Sequence, residues 1–125
     1  MSWTASEVMT RARVQQYGEF SGDNNAIHTD PDAAAAAGLP APVAHGILTV
    51  GIVLAHAAEW LGEIGARIEG YETRFTAPVY VYDDPVRLEI TADVASDGRL
   101  DVSVVAIHDG VSKAVLRPMR VYFAS

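Results

Sequence analysis

The stretch Gly46–Leu61 reads GILTVGIVLAHAAEWL and is the most strongly apolar segment of the 125-residue chain. Drawn as a helix it is apolar nearly all round, which predicts a helix that other structure covers. It is too short and, with His56 and Glu59, too polar to cross a membrane. Gly62 and Gly65 follow it and are expected to end the helix.

Four segments after this helix have the pattern of β-strands, being alternating or rich in β-branched residues. They are Ala66–Phe75, Val86–Val94, Leu100–Ile107 and Val115–Phe123. The pairs Asp97-Gly98 and Asp109-Gly110 lie between them and are typical of hairpin turns, while Pro118 indicates a bulge or an edge position. An antiparallel meander of about four strands is therefore expected. Because a sheet that wraps a single long apolar helix is the hotdog fold, the sequence predicts an α+β protein with one hotdog domain over residues 1–125.

The first third of the chain has helical and loop character. Ser6–Phe20 is predicted to be helical because its apolar residues fall within one broad arc. Ser21–Asn25 has the composition of a loop, since Gly and Asx residues favour turns. Asp30 is expected to cap a short helix that has Pro31 at its first position and ends at Gly38.

Composition excludes several kinds of function. The chain has no cysteine, which excludes disulfides, thiolate metal sites and cysteine nucleophiles. The formal net charge is −7, and without a visible basic patch such a chain would repel nucleic acid. No metal-ligand spacing occurs, so neither a metal nor a cofactor is expected. Met1–Glu7 lacks the features of a signal peptide, so we expect a cytoplasmic protein without a membrane partner.

Asp23 and His28 are the strongest candidates for chemistry. They flank Asn24–Ala26, a turn that can fold back so that the two side chains converge. A neutral imidazole can take a proton from water, and a neighbouring carboxylate can orient that water. Such a pair suits the addition of water to an unsaturated acyl thioester, or its removal. The structural alternative is that Asp23 is only an Asx-turn residue.

Gly46 supplies the second element that this reaction needs. Charge develops on the thioester oxygen, and backbone N–H groups at a helix N-terminus stabilise such charge. A glycine lets the substrate carbonyl approach the backbone closely. The Gly46 N–H is therefore the candidate oxyanion donor, while the preceding His45 is better explained as a structural residue that bonds nearby backbone.

Three parts of the chain resemble the MaoC-like family. They are YGEFSGDNNAIHTD at 17–30, HGIL at 45–48 and RFTAPV at 74–79. The family contains (R)-specific enoyl-CoA hydratases and 3-hydroxyacyl-thioester dehydratases, and the resemblance runs from about Met9 to the C-terminus. It implies that Asp23 and His28 are the catalytic pair, that Gly46 is the oxyanion donor and that Asn25 shapes the loop.

The resemblance also implies the substrate and the partners. An acyl-CoA or acyl carrier protein thioester would place its acyl chain in a tunnel beside the central helix. The expected substrate-contacting residues are Asn25, His45, Ile47, Val50 and Leu54. The cations available for the phosphates of a carrier are Arg67, Arg74, Arg87, Lys113, Arg117 and Arg120. A homodimer is expected, and some members form heterodimers in which only one subunit keeps the Asp/His pair.

Two features depart from the family pattern. Ala26 stands where the family has proline, which loosens the turn before His28. Many members also have a strand before the first helix, whereas only 20 residues precede Ser21 here. The sequence therefore predicts that one edge of the sheet is missing or supplied by a partner.

Two other functions compete with hydration. A weakly catalytic subunit that completes a heterodimer is favoured by Ala26 and by the short N-terminal segment, and opposed by the intact Asp23/His28 pair. A hotdog thioesterase would place its carboxylate differently. A second acid/base pair at His56 and Glu59, three residues apart on the apolar helix, is the less favoured location for the chemistry because no His-Phe-Pro loop accompanies it.

Overall fold

The computed structural model describes all 125 residues as five strands, three α-helices and one short 3₁₀ helix. In chain order these are β1 (Ser2–Met9), α1 (Arg11–Ser21), the 3₁₀ helix (Ala26–His28), α2 (Pro31–Ala36), α3 (Gly46–Glu63), β2 (Arg67–Phe75), β3 (Val86–Ser96), β4 (Arg99–His108) and β5 (Val111–Ala124). The strands form one antiparallel sheet in the order β1-β3-β4-β5-β2. The apolar helix and the four later strands lie close to their predicted positions.

Helix α3 packs against one face of this sheet and forms the core with it, which confirms the α+β hotdog fold. Val50, Val53 and Leu61 on the helix are almost completely buried. The outer side of α3 is not covered in the isolated chain, where Ile47 keeps 54% of its surface exposed. The prediction of a helix covered all round is therefore wrong for a single chain. No helix here combines the length and the apolarity that a bilayer crossing would need.

The N-terminal segment differs from its prediction. Residues 2–9 form a strand, β1, that pairs with β3 along its whole length, so the expected missing edge strand is present. Helix α1 begins only at Arg11, because the Thr10 hydroxyl caps it by accepting from the N–H of Arg13 at 3.1 Å. Alternation in β1 turns Glu7 inward and leaves Val8 exposed, and this reversal of the usual polarity hid the strand.

Strand β2 also differs from the predicted meander. It crosses over to pair with β5 rather than with β3, which leaves β2 at one edge of the sheet. Pro118 lies at a register shift in β5, an interior strand, so the bulge prediction is confirmed and the edge alternative is wrong. The turn Asp109-Gly110 has positive φ at both residues, as a tight hairpin requires.

Candidate active site

The loop that carries Asp23 is fixed by the end of α1. Gly22 ends the helix with φ +81°, a left-handed conformation that favours glycine, and its N–H donates to the Gly18 carbonyl at 2.9 Å. A side chain at Gly18 would place its Cβ 2.9 Å from the Asp23 carbonyl oxygen, so glycine permits the loop to pack there. The Asn25 Oδ1 atom accepts from the Ile27 N–H at 3.2 Å and starts the 3₁₀ helix, which agrees with its predicted part in shaping the loop.

The two oxygens of Asp23 have different surroundings. Oδ1 accepts from the Asn25 N–H at 3.4 Å, so the Asx-turn interpretation is correct for this atom. Oδ2 lies 3.8 Å from His28 Nε2, which is too long for a direct hydrogen bond. The Asp23 side chain is 56% exposed, whereas that of His28 is 12% exposed. The structural and the chemical interpretation of Asp23 are therefore compatible.

His28 is held in one tautomer by the backbone. Its Nδ1 lies 2.6 Å from the Val43 carbonyl oxygen, which can only accept, so Nδ1 carries the proton and donates. In the neutral ring Nε2 then carries no hydrogen, and its lone pair is available beside the Asp23 carboxylate. This is the state that a general base needs.

His45 contacts both His28 and the backbone of Asp23. Its ring stacks on His28 with centroids 3.7 Å apart and meets the edge of Tyr17. His45 Nε2 lies 3.2 Å from the backbone oxygen of Asp23 and donates to it. The residue is only 4% exposed, which leaves little surface for a substrate. The structure thus favours the structural prediction for His45 over its expected contact with substrate.

Asp23, His28 and His45 together offer three donor atoms within 4.8 Å of one another. A metal ion requires the lone pairs of its ligands to converge on one point. The two imidazoles are instead stacked with only 22° between their planes, and His45 Nε2 already donates to the Asp23 backbone. The geometry fits water and proton transfer better than metal ligation.

Gly46 lies at the first position of α3, where N–H groups have no acceptor inside the helix. The Phe75 ring covers it so closely that a Cβ at position 46 would lie 2.9 Å from the ring. Glycine therefore lets the Phe75 ring pack here without being displaced, in addition to the predicted approach of a substrate. Both residues line an open pocket of about 380 Å³, and the Thr49 hydroxyl in its wall is buried without a hydrogen-bond partner.

Three of the predicted substrate contacts line a second pocket, of about 450 Å³, on the outer side of α3. Ile47 lies at its exposed rim, Leu54 is half-buried and Val50 is almost fully buried. Tyr17 and Tyr71 also line it, and the ion pair of Glu7 and Arg13 lies in its wall. The pocket is thus mainly apolar and begins one residue after Gly46, as a tunnel for an acyl chain would.

The predicted alternative pair of His56 with Glu59 is not formed. His56 Nε2 instead bonds Glu7 Oε1 at 3.2 Å, and Arg13 lies 3.5 Å from the other Glu7 oxygen. Burial raises the pKa of Glu7, but the hydrogen bonds from Arg13 and His56 outweigh it and hold that pKa below its usual range. These groups bind one another and leave no free base.

Sequence reasoning missed three contributors to the site. The Val43 carbonyl sets the tautomer of His28, Tyr17 packs on His45, and Phe75 covers Gly46. A backbone carbonyl carries no sequence signal. Tyr17 and Phe75 lie inside the quoted motifs, but only the folded chain shows which residues they contact.

The residues of this site all lie within the part of the chain that matches one protein family. The model of the MaoC like domain matches residues 3–115. This match covers most of the chain, and it includes Asp23, His28 and Gly46. The protein belongs to the MaoC-like domain family.

Curated relatives share part of their length with this chain. Enoyl-CoA hydratase ChsH3 of Mycobacterium tuberculosis is 39% identical over 87 residues, which cover 68% of this chain and 29% of that protein. The 3-hydroxyacyl-thioester dehydratase Y of the same organism is 34% identical over 107 residues, covering 77% of this chain and 37% of that protein. This chain therefore spans about a third of the length of these two relatives.

Solved structures share the fold. The R-hydratase PhaJ1 from Pseudomonas aeruginosa has a TM-score of 0.79 at 22% identity, over 98% of this chain and 78% of that one. The (R)-hydratase of A. caviae involved in PHA biosynthesis has a TM-score of 0.75 at 21% identity, over 98% of this chain and 92% of that one. These likenesses support the hotdog fold assignment.

Proposed function

We propose that this protein is a hydro-lyase that adds water to trans-2-enoyl thioesters to give (R)-3-hydroxyacyl thioesters, or catalyses the reverse dehydration. The observation that carries the proposal is the open Nε2 of His28, 3.8 Å from an Asp23 carboxylate oxygen. This pair lies beside the N-terminus of α3, and the names of the relatives describe the same chemistry.

In the hydration direction, a water molecule binds between His28 and Asp23. His28 Nε2 takes one proton from the water, while the Asp23 carboxylate accepts a hydrogen bond from its other hydrogen. The water oxygen bonds to the β-carbon, and the electron pair of the double bond moves towards the thioester carbonyl. Protonated His28 then returns its proton to the α-carbon on the same face, which gives syn addition.

Gly46 stabilises the enolate that forms between these steps. Its N–H donates to the thioester oxygen, and the positive end of the α3 dipole supports the developing charge. The buried imidazole of His45 keeps the Asp23 backbone in place through its 3.2 Å hydrogen bond. The acyl chain extends from Gly46 into the pocket of Ile47, Val50 and Leu54.

We also propose a homodimer. Strand β2 lies at an edge of the sheet, where its outer N–H and C=O groups are unpaired. Tyr71 and Phe75 on β2 and Ile47 on α3 are large apolar residues that remain exposed beside this edge. A second copy pairing at β2 would cover them and close the acyl pocket. Two structural neighbours, a ChsH1-ChsH2 complex and a HadBC complex, are themselves assemblies of two different chains.

The cytoplasmic location stays a prediction.

The direct test is hydration of crotonyl-CoA by the purified protein, followed by loss of enoyl absorbance and by the chirality of the product. We expect (R)-3-hydroxybutyryl-CoA. Absence of turnover with enoyl thioesters of every chain length would overturn the proposal, and in that case binding without turnover would favour the non-catalytic subunit.

A further inference from the structure

A pocket of about 440 Å³ lies next to the thioester site, and it has a different chemical character. It shares Pro78 with the pocket that contains Gly46. Its lining residues include three with aromatic rings, Tyr80, Tyr82 and His108, and the cationic Lys113. Nothing in the reaction proposed above uses these residues.

The backbone joins the two pockets into one path. The segment before Gly46 pairs antiparallel with the segment after Pro78, through the bridge between Val43 and Tyr80 and the 2.8 Å hydrogen bond from Ala44 N–H to the Val79 carbonyl. Extended chain advances about 3.3 Å per residue, so Tyr82 lies roughly 10 Å beyond Val79, away from Gly46. A ligand held at Gly46 can therefore reach the aromatic pocket only through an extended arm.

The aromatic wall is rigid. Tyr82 and His108 stack with centroids 4.1 Å apart and 12° between their planes. His108 Nε2 bonds Asp84 Oδ1 at 2.9 Å, which fixes the imidazole and lowers the pKa of Asp84. Half-buried Tyr80 lies on the same side of its segment as Tyr82. Tyr82 and His108 cover one face of each other, and an outer face of the pair is a surface on which a purine base can stack.

Lys113 lines the aromatic pocket and lies on the strand that contacts the thioester pocket. Its neighbour Ala114 accepts a 2.7 Å hydrogen bond from the hydroxyl of Thr76, which lines the thioester pocket. Lys113 is exposed, takes part in no ion pair and is the only lysine of the chain. Asp109 also lines the pocket, and a carboxylate can accept from an exocyclic amino group. The site therefore offers one cation for a phosphate and aromatic surfaces for a base.

We propose that this aromatic pocket binds the adenine nucleotide end of coenzyme A, with Lys113 on its phosphates and the pantetheine arm passing Pro78. The inference rests on the proposed function and assigns the carrier, because an acyl carrier protein presents the same arm without a base. The pocket would thus distinguish coenzyme A thioesters from protein-bound ones.

The test compares two substrates in three proteins. Crotonyl-CoA and crotonyl-pantetheine are hydrated by the wild type, by Lys113→Glu and by Arg99→Glu, a charge reversal outside both pockets at a residue that pairs with Asp101. We expect Lys113→Glu to raise KM for crotonyl-CoA about 3- to 10-fold with kcat unchanged, as loss of a phosphate contact would. KM for crotonyl-pantetheine should stay constant, and Arg99→Glu should resemble the wild type. Equal KM values for crotonyl-CoA in the wild type and Lys113→Glu would overturn the inference.

A binding experiment separates this inference from the proposed function. Calorimetry with 3′-phosphoadenosine 5′-phosphate should show binding to the wild type and weaker binding to Lys113→Glu and Tyr82→Leu. If the wild type binds this nucleotide but hydrates no enoyl thioester, the nucleotide site stands and the hydratase proposal fails. If the wild type hydrates crotonyl-CoA but does not bind the nucleotide, the nucleotide site is wrong and the hydratase proposal stands.

Discussion

The two histidine–carboxylate pairs near α3 are made of the same kinds of group and differ in what is left free. At its N-terminal end, His28 Nε2 lies 3.8 Å from Asp23 and keeps an open lone pair, because Val43 binds only Nδ1. Further along the helix, His56 bonds Glu7 directly at 3.2 Å, and Arg13 contacts the second oxygen. A water molecule can hydrogen-bond to both members of the first pair, whereas in the second pair His56 Nε2 is already bonded to Glu7.

The comparison shows that residue type and spacing do not identify a base. A base also needs a free lone pair close to a hydrogen-bond donor that stabilises the developing charge. Only the first pair meets this condition, because His28 stacks on His45 and Gly46 follows His45 in the chain. The second pair instead connects β1 to α3, and we assign it to stability. The predictions below test this division of roles.

The largest effect is expected for the two carboxylates. Asp23→Asn should reduce hydration of crotonyl-CoA at least ~10²-fold, because the amide orients the water poorly, while the fold is kept. Glu7→Gln, a matched change in the second pair, should leave kcat close to the wild-type value. Steady-state kinetics with circular dichroism as the folding check decides this, and similar losses in both variants would refute the division.

A smaller effect is expected at Gly46. Gly46→Ala places a Cβ against the Phe75 ring, which must shift. Because Phe75 lines the thioester pocket, its displacement changes the shape of that pocket. We expect kcat/KM to fall and the free energy of unfolding to decrease by about 1 kcal/mol. The control is Gly62→Ala in the same helix, where a Cβ has open space. This substitution should raise the free energy of unfolding by about 0.5–1 kcal/mol. Urea unfolding and hydration assays give both quantities, and unchanged kcat/KM in Gly46→Ala would contradict the expected disturbance of the thioester pocket through Phe75.

The second pair should show itself in the acid limb of stability. The pKa of Glu7 is lower in the folded protein than its usual value of 4.5. The contribution of Glu7 to the free energy of unfolding is therefore fully present above about pH 4.5. It is lost as the pH falls through the lower pKa that Glu7 has in the folded protein. Glu7→Gln should lose Tm at about pH 7 and much less at about pH 3. A Tm difference that does not change with pH would show that Glu7 is not held by Arg13 and His56.

How much the sequence predicted follows from which contacts are local. The loop of Asp23, the cap at Asp30, the apolar helix and the hairpins depend on neighbouring residues, and all were predictable. Strand β1 was not, because Glu7 faces inward to meet His56, 49 residues away. The pairing of β2 with β5 and the contact of Phe75 with Gly46 also depend on distant residues. The sequence pattern therefore predicted which residues carry the chemistry, but not which distant residues they contact.

The smallest effect concerns Ala26, which replaces the family's proline. Asn25 already has φ −60° and ψ 126°, a conformation that suits the residue before proline, and Ala26 is the first residue of the 3₁₀ helix. Ala26→Pro should raise the free energy of unfolding by about 0.4–1 kcal/mol by restricting the unfolded chain. Thermal unfolding measures it, and a loss of stability would mean that the loop differs from the one described.

The most direct test of the central claim compares two histidines in one assay. Hydration of crotonyl-CoA is measured for His28→Ala and His56→Ala, with the fold of both checked by circular dichroism. The structure predicts a loss of at least ~10²-fold in kcat for His28→Ala and a kcat near that of the wild type for His56→Ala. An active His28→Ala protein, or an inactive but folded His56→Ala protein, would contradict the assignment of the chemistry to the N-terminal end of α3.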